Sequence, residues 1–260
     1  MIRGLYTSGW SMLANNKKMD VITNNLSNVN TYGYKRDVTV FQSFPEALTM
    51  RMNEKDLIGR KTSNIGTMEL GSDIGEIHTY YSQGSLLKTD DKYNFAIKDS
   101  DLSFFTIGVP DQDGTINEYY TRDGSFTINS NNELTTSEGF LVLGEGGPIV
   151  LEDGDFFIER DGTIIQYGEV VDKLLIRTFA DNSGLRKVGS NLLQSVNNNY
   201  EGVPFEGTIV QGYVEQSNVN IIKEMVEMIN VMRAYESNQK MIQVQDSTLE
   251  KAVNEVGAVR

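Results

Sequence analysis

Apolar residues recur at every seventh position near both ends of the chain. Leu5, Met12, Met19 and Leu26 form one such row, with Ile22 and Val29 at companion positions where Ser8 and Asn15 are polar. A single apolar stripe on a polar segment predicts a surface helix from about Leu5 to about Ser27. Near the other end, Ile221, Met228, Tyr235, Ile242, Leu249 and Val256 keep the same spacing. Met225, Met232 and Val253 fill a second row, which Gln239 and Asp246 interrupt. No Gly or Pro lies between Val214 and Val256, and Ser217, Asn218 and Asn220 are available as N-caps. The pattern predicts one helix from about Val219 to about Val256, which at about 1.5 Å per residue exceeds roughly 50 Å. Sustained heptads predict that the two helices pack as a coiled-coil-like pair, with seam surface left over for neighbouring copies.

The middle of the chain has a different rhythm. Phe104–Ile107, Ser125–Ile128, Phe140–Leu143, Phe156–Ile158, Thr163–Ile165 and Leu174–Ile176 are short β-branched or aromatic runs. Asp113-Gly114, Asp123-Gly124, Asp153-Gly154 and Asp161-Gly162 fall between runs of this kind, and such dipeptides predict hairpins. The expected fold is therefore α+β, with long terminal helices flanking a central all-β domain of many short strands. Residues 1–36 and 215–260 make a terminal helical domain, 76–214 the β domain, and the weakly patterned 37–75 an extended connector.

Composition narrows the chemistry. The 260 residues carry 23 Lys and Arg against 36 Asp and Glu, a net charge of -13. Residues 1–36 have a net charge of +4, residues 37–214 of -15, and residues 215–260 of -2. A strongly acidic middle argues against duplex nucleic acid or an anionic lipid surface as the main partner. With no Cys and only His78, thiolate sites, His-rich metal sites and a cysteine nucleophile are excluded. Asn15, Asn16, Lys17 and Lys18 interrupt any apolar run that a cleavable secretory signal needs. No apolar run is long enough for a transmembrane helix.

Asn24-Asn25-Leu26-Ser27-Asn28-Val29-Asn30-Thr31, followed by Gly33-Tyr34-Lys35-Arg36, resembles the N-terminal signature of the bacterial flagellar rod and hook proteins. Gly212-Tyr213-Val214-Glu215-Gln216-Ser217-Asn218-Val219-Asn220 resembles the matching C-terminal signature, continued by Glu224-Met225-Val226 and Arg233-Ala234-Tyr235-Glu236. Tyr120–Phe126 is similar to the family's β domain. By these residues the chain is identified as a member of the flagellar basal-body rod family. The long connector and Arg233–Glu236 resemble its distal-rod branch, while Leu143–Ile149 resembles the proximal one. The resemblance implies a non-enzymatic subunit that is exported unfolded by the flagellar export apparatus. It implies helical stacking into a hollow shaft that carries torque from motor to hook, with the terminal helices as the inner tube. Partners would be copies of itself, neighbouring rod and hook proteins, and possible ring proteins around the rod. It implies no nucleic acid partner, no membrane insertion and no cofactor.

The remaining motifs favour plain readings, so no catalytic, cofactor-binding or metal residue is assigned. His78 lacks a nucleophile elbow and reads as a strand residue. Asp111-Gln112-Asp113-Gly114 matches the start of a calcium loop, but Arg122 stands at the twelfth position, where a bidentate Glu is required. Gly144-Glu145-Gly146-Gly147 precedes Pro148 and lacks the Lys-Ser/Thr of a phosphate loop, so it reads as a turn. The Met-rich row reads as packing between subunits. The Asn cluster from Asn24 to Asn30 reads as a polar joint between helix and connector. The basic N-terminal zone is expected to face Glu224 and Glu227. From another class, a surface polysaccharide hydrolase remains open, which would need two close carboxylates in a cleft.

Overall fold

The structure is a computed structural model that describes residues 2–56, 59–110, 116–182, 184–189, 191–196 and 203–256. They divide into two compact units. The first holds Met1–Leu26, Asp37–Thr79 and Ile221–Arg260, and the second holds Ser27–Arg36 and Tyr80–Asn220.

The first unit contains both long helices, α1 (Ile2–Ser27) and α2 (Ile221–Lys251). Asn220 occupies the N-cap position of α2. Glu224 in its first turn and Lys251 in its last both suit the helix dipole. A π-helical turn, Ala252–Val256, ends the segment. Between the helices in sequence come β1 (Asp37–Ser43), β2 (Ala47–Asp56), β3 (Gly59–Met68) and β4 (Ser72–Thr79). β1 pairs antiparallel with β4, and β2 with β3. Phe44 N donates to Gly71 O at 3.0 Å between the two pairs, so the segment is one long two-stranded ribbon.

α1 carries the ribbon on one side. Trp10 meets Phe44 edge to face at 4.9 Å, Lys17 binds Asp73 at 3.0 Å, and Thr7 Oγ1 donates to Leu70 O at 3.2 Å. Val40, Phe41, Leu48, Ile65 and Ile77 of the ribbon are exposed.

The coiled-coil-like pairing expected from the heptads is not what the chain forms. α1 and α2 run antiparallel, but their backbones stay mostly more than 8 Å apart. Polar side chains bridge them: Asn238 Nδ2 donates to Ser11 Oγ at 2.9 Å, Lys18 Nζ meets Glu227 at 3.1 Å, and Asn25 Nδ2 donates to Glu224 Oε2 at 3.3 Å. The physical reason lies in which row of α2 faces α1. Beside the half-buried Met228, Ile242 and Leu249 runs the row Glu224, Val231, Asn238 and Gln245, and this row is turned inward. The apolar companion row, Met225, Met232 and Val253, is exposed. Opposite lie Ser8, Ser11 and Asn25, which need polar partners rather than an apolar seam.

The second unit is the β region. Its strands are β5 (Leu86–Lys88), β6 (Phe95–Lys98), β7 (Ser103–Pro110), β8 (Ile116–Thr121), β9 (Phe126–Ile128), β10 (Leu134–Thr136) and β11 (Leu141–Gly144). They continue as β12 (Gly147–Pro148), β13 (Phe156–Ile158), β14 (Thr163–Gln166), β15 (Glu169–Lys173) and β16 (Ile176–Thr178). The last are β17 (Leu185–Val188), β18 (Leu192–Ser195), β19 (Thr208–Gln211) and β20 (Tyr213–Glu215). The largest sheet runs β17-β18-β8-β7-β11-β10-β9, with β16 also pairing β7 and β12 pairing β11. β13-β14-β15 form a three-stranded sheet, while β6 pairs β19 and β5 pairs β20.

β7 explains why there are two cores. Side chains alternate along a strand, so Phe104 and Phe105 point to opposite faces. Phe105 packs with Phe95, Phe126, Leu134, Val142 and Ile164. Phe104 packs with Tyr81, Tyr120, Phe179 and Leu193. Edge-to-face ring pairs hold both, among them Phe105–Phe126 at 5.3 Å and Tyr120–Phe179 at 5.1 Å.

The Asp-Gly pairs divide three ways. Asp161-Gly162 closes the β13–β14 hairpin. Asp123-Gly124 and Asp153-Gly154 join strands that are not partners. Asp113-Gly114, with the rest of the Asp111–Gly114 stretch, lies outside the described residues. Gly144 pairs with Gly147 at the tight β11–β12 turn, and His78 sits on β4 across from Val38.

Phe105→Ala should lower unfolding stability by about 3–5 kcal/mol. Val244→Ala, on the exposed part of α2, should change it by less than about 0.5 kcal/mol. Urea unfolding followed by circular dichroism checks both; equal losses would contradict this placement of the core.

Candidate assembly site: a buried ion cluster and an exposed helix face

Glu215 ends β20 as one of the most deeply buried side chains of the second unit. Its Oε1 accepts from Lys35 Nζ at 2.6 Å and from Gly84 N at 2.8 Å. Its Oε2 accepts from Arg122 Nη1 at 3.2 Å. Lys35 Nζ also donates to Ser82 O at 2.9 Å. Arg122 also donates to Ile97 O and Ser100 O, and its guanidinium lies 5.5 Å from the centre of the Phe104 ring. One carboxylate thus joins four segments that are remote in sequence.

Burial holds the Lys35 ammonium below its ordinary value, with attraction to Glu215 opposing the shift. Arg122 is lowered for the same reason. Removal of these charges from water offsets what their pairing returns, so such a cluster fixes position more than it adds stability. Breaking it is another matter, because loss of Glu215 leaves two buried cations.

The backbone is built around the cluster. Gly33 has φ +69°, a left-handed conformation, and its N donates to Glu215 O at 2.8 Å. A Cβ there would collide with the backbone of Arg122 and Asp123. A Cβ on Gly84 would collide with Gln216 O. Tyr34 is buried under Lys187, whose Nζ lies 4.4 Å from the ring centre and donates to Lys35 O at 2.7 Å.

Asn218 closes the site at the points where the chain leaves this unit. Its Oδ1 accepts from Arg36 N at 2.8 Å, and its Nδ2 donates to Tyr80 O at 2.8 Å and Ser82 O at 3.0 Å. Tyr80 N donates back to Arg36 O at 2.8 Å. Residues 36, 80 and 218 stand beside three of the four crossings into the helical unit, and one amide holds them together.

In the helical unit Asn25 plays a parallel part. Its side chain exchanges two hydrogen bonds with the Asp37 backbone, donating to O at 2.8 Å and accepting from N at 3.0 Å. A third bond to Glu224 ties α2 to the start of the ribbon. Thr79 Oγ1 donates to Asp37 Oδ1 at 2.7 Å and fixes the ribbon's other strand.

The other motif residues separate by role. Asn28 Oδ1 accepts from Thr31 Oγ1 at 3.2 Å in the turn after α1, and Val219 N donates to Ser217 Oγ at 3.3 Å before α2. Val219 is buried, while Asn24, Asn30 and Asn220 are exposed. Of the heptad residues, Ile22 is buried, and Leu5, Met12, Met19 and Leu26 are half-buried on α1. On α2, Met228, Ile242 and Leu249 are half-buried, and Met225, Met232, Tyr235 and Val253 are exposed. The side chain of Val256 lies outside the described residues. Ile222, Val226 and Ile229 join Met225 and Met232, so the first three turns of α2 present an apolar face to solvent, which Arg233, Glu236 and Lys240 continue as charge.

Periodicity did not single out Lys35, Arg122 or Glu215. Arg122 reads as part of an Asp-Gly turn, and Asp123 does form that turn, accepting from Ser125 N at 2.9 Å. The available signal is a lone charge after an apolar pair, and only Glu215, after Tyr213-Val214, shows it; Lys35 stands in the charged run Lys35-Arg36-Asp37.

Glu215→Gln should destabilise the second unit by about 3–5 kcal/mol, because two buried cations lose their counter-charge. Lys35→Met should cost about 1.5–3 kcal/mol, since Glu215 keeps Arg122. Lys35 also predicts a pH dependence. Its folded pKa lies below 10.5, so its favourable contribution is complete above 10.5 and is lost as pH falls through the depressed value. Wild type should therefore gain stability over Lys35→Met as pH rises through that window. Urea midpoints across pH measure this, and a parallel pair of curves would contradict it.

Known families place these features. Residues 5–35 match the family described as flagella basal body rod protein, residues 102–169 the flagellar hook protein FlgE/F/G D1 domain, and residues 210–255 the flagellar basal body rod FlgEFG protein C-terminal region. Lys35, Arg122 and Glu215 fall one in each matched segment. The flagellar basal-body rod protein FlgG of Buchnera aphidicola subsp. Acyrthosiphon pisum (strain APS) is 35% identical over 96% of this chain and 98% of its own. FlgG of Bacillus subtilis (strain 168) is 33% identical over 98% and 99%. The flagellar basal-body rod protein FlgF of Rhizobium meliloti (strain 1021) is 28% identical over the full length of both. Three matched segments in chain order and relatives similar along nearly their whole length lead to one conclusion: the chain belongs to the flagellar basal-body rod protein family and is a structural subunit of the flagellar rod.

Proposed function

We propose that the chain is a distal-rod subunit that polymerises with copies of itself into the axial shaft carrying torque from motor to hook. The observation that carries this reading is the exposed apolar face at the start of α2, formed by Ile222, Met225, Val226, Ile229 and Met232. A lone soluble domain has no use for such a face, and neighbouring copies would cover it. Burial stabilises by roughly 25 cal/mol per Å² of apolar surface, which offsets the entropy lost on joining the polymer. The relatives named FlgG are more similar (30–36%) than the one named FlgF (28%), which favours the distal branch.

The finer assignments follow from that reading. The subunit acts by packing rather than by catalysis. It reaches the basal body through the flagellar export apparatus, without a cleaved signal peptide. Neighbouring rod and hook proteins bind its ends, and ring proteins surround it.

Ile222→Asp combined with Ile229→Asp tests the role of the face. Both side chains are exposed and lie one heptad apart, so the monomer should keep its fold by circular dichroism. Electron microscopy of concentrated protein should show filaments for wild type and none for the variant. In cells lacking their own copy, the variant should fail to restore motility. Normal filaments and motility would contradict the proposal.

A further inference from the structure

The chain has ten Met and no Cys, so thioethers are its most readily oxidised groups. Three of them are exposed on α2: Met225, Met232 and Met241 are 50%, 48% and 53% exposed, the first two on its uncovered apolar face and Met241 half a turn round the helix from Met232. Met225 and Met232 are one heptad apart on the same row. Met228 is turned toward α1 and half-buried, as are Met12 and Met19 on α1. Met68, on the ribbon, is exposed, but its sulfur accepts from Arg3 Nη1 at 3.8 Å.

We propose that Met225 and Met232 form a reversible oxidation site that switches assembly off in the free subunit. The oxidant is a hydroperoxide, with hydrogen peroxide the simplest. The thioether sulfur attacks the terminal peroxide oxygen, an S–O bond forms and the O–O bond breaks. The displaced hydroxide takes the proton of the transferred OH and leaves as water. Sulfur is oxidised by two electrons and the peroxide is reduced by two.

A sulfoxide converts a flexible apolar side chain into a polar one. On a face that packs against neighbours it places unpaired oxygens in the interface, which opposes burial. Once packed, the same sulfurs are shielded from the oxidant. The site is thus open before assembly and closed after it. This rests on the assembly reading of the α2 face given above.

The test uses the full-length chain, hydrogen peroxide and peptide mapping by mass spectrometry. Met225 and Met232 should oxidise several-fold faster than Met12, Met19 and Met228; equal rates would overturn the site. The oxidised monomer should need at least about tenfold more protein to polymerise, and methionine sulfoxide reductase should reverse this. A variant with Met225→Leu and Met232→Leu should polymerise equally with and without peroxide. Unchanged polymerisation of oxidised wild type, or peroxide sensitivity in the Leu variant, would overturn the switch. If untreated wild type does not polymerise, the assembly reading itself falls, and the switch with it.

Discussion

The Glu215 carboxylate is the constraint on which the second unit turns. It draws Lys35 from the segment after α1, Gly84 from the start of the β region and Arg122 from the loop after β8 into one buried contact. Neither Lys35 nor Arg122 could be buried alone, since an isolated charge would stay in water or lose its charge. Their burial therefore specifies the path of the backbone. Gly33 must be left-handed and without a Cβ because Arg122 and Asp123 pass against it. Asn218 then holds the exits at Arg36 and Tyr80 in one place. The segments leading to the helices and the ribbon leave the second unit from this cross-linked base.

The helical unit follows a different economy. Polar pairs bridge its helices beside the buried Ala14, Ile22 and Val231, with Ser11, Lys18 and Asn25 reaching Asn238, Glu227 and Glu224. Polar pairs fix register at some cost in stability. They also keep the apolar row of α2 facing outward, where it is available to neighbours. A subunit that buried this row within itself would be a better monomer and a poorer building block.

Much of this was legible in the sequence, and the gaps have physical causes. The long helices showed in the seven-residue rows, and β7 showed as a strand in Phe104–Ile107. The coiled-coil-like pairing was misjudged because two rows flank Met228, Ile242 and Leu249. Hydrophobicity favours Met225 and Met232, whereas the facing helix offers Ser11 and Asn25 and draws the polar row inward. The strands of residues 37–79 were faint because a two-stranded ribbon has no fully buried face to impose alternation. Arg122 was read as turn chemistry, since nothing local marks a charge whose partner lies 93 residues away.

Hydrogen exchange followed by mass spectrometry, on monomer and on polymer, tests the central claim most directly. The claim is a subunit with a permanently locked junction and a helix face completed only by neighbours. The account predicts that peptides containing Gly33 and Gly84 are protected equally in both states. It predicts that α2 peptides exchange readily in the monomer and become strongly protected in the polymer. Equal protection of α2 in both states would contradict the account, because the helix would then already be satisfied within a single chain.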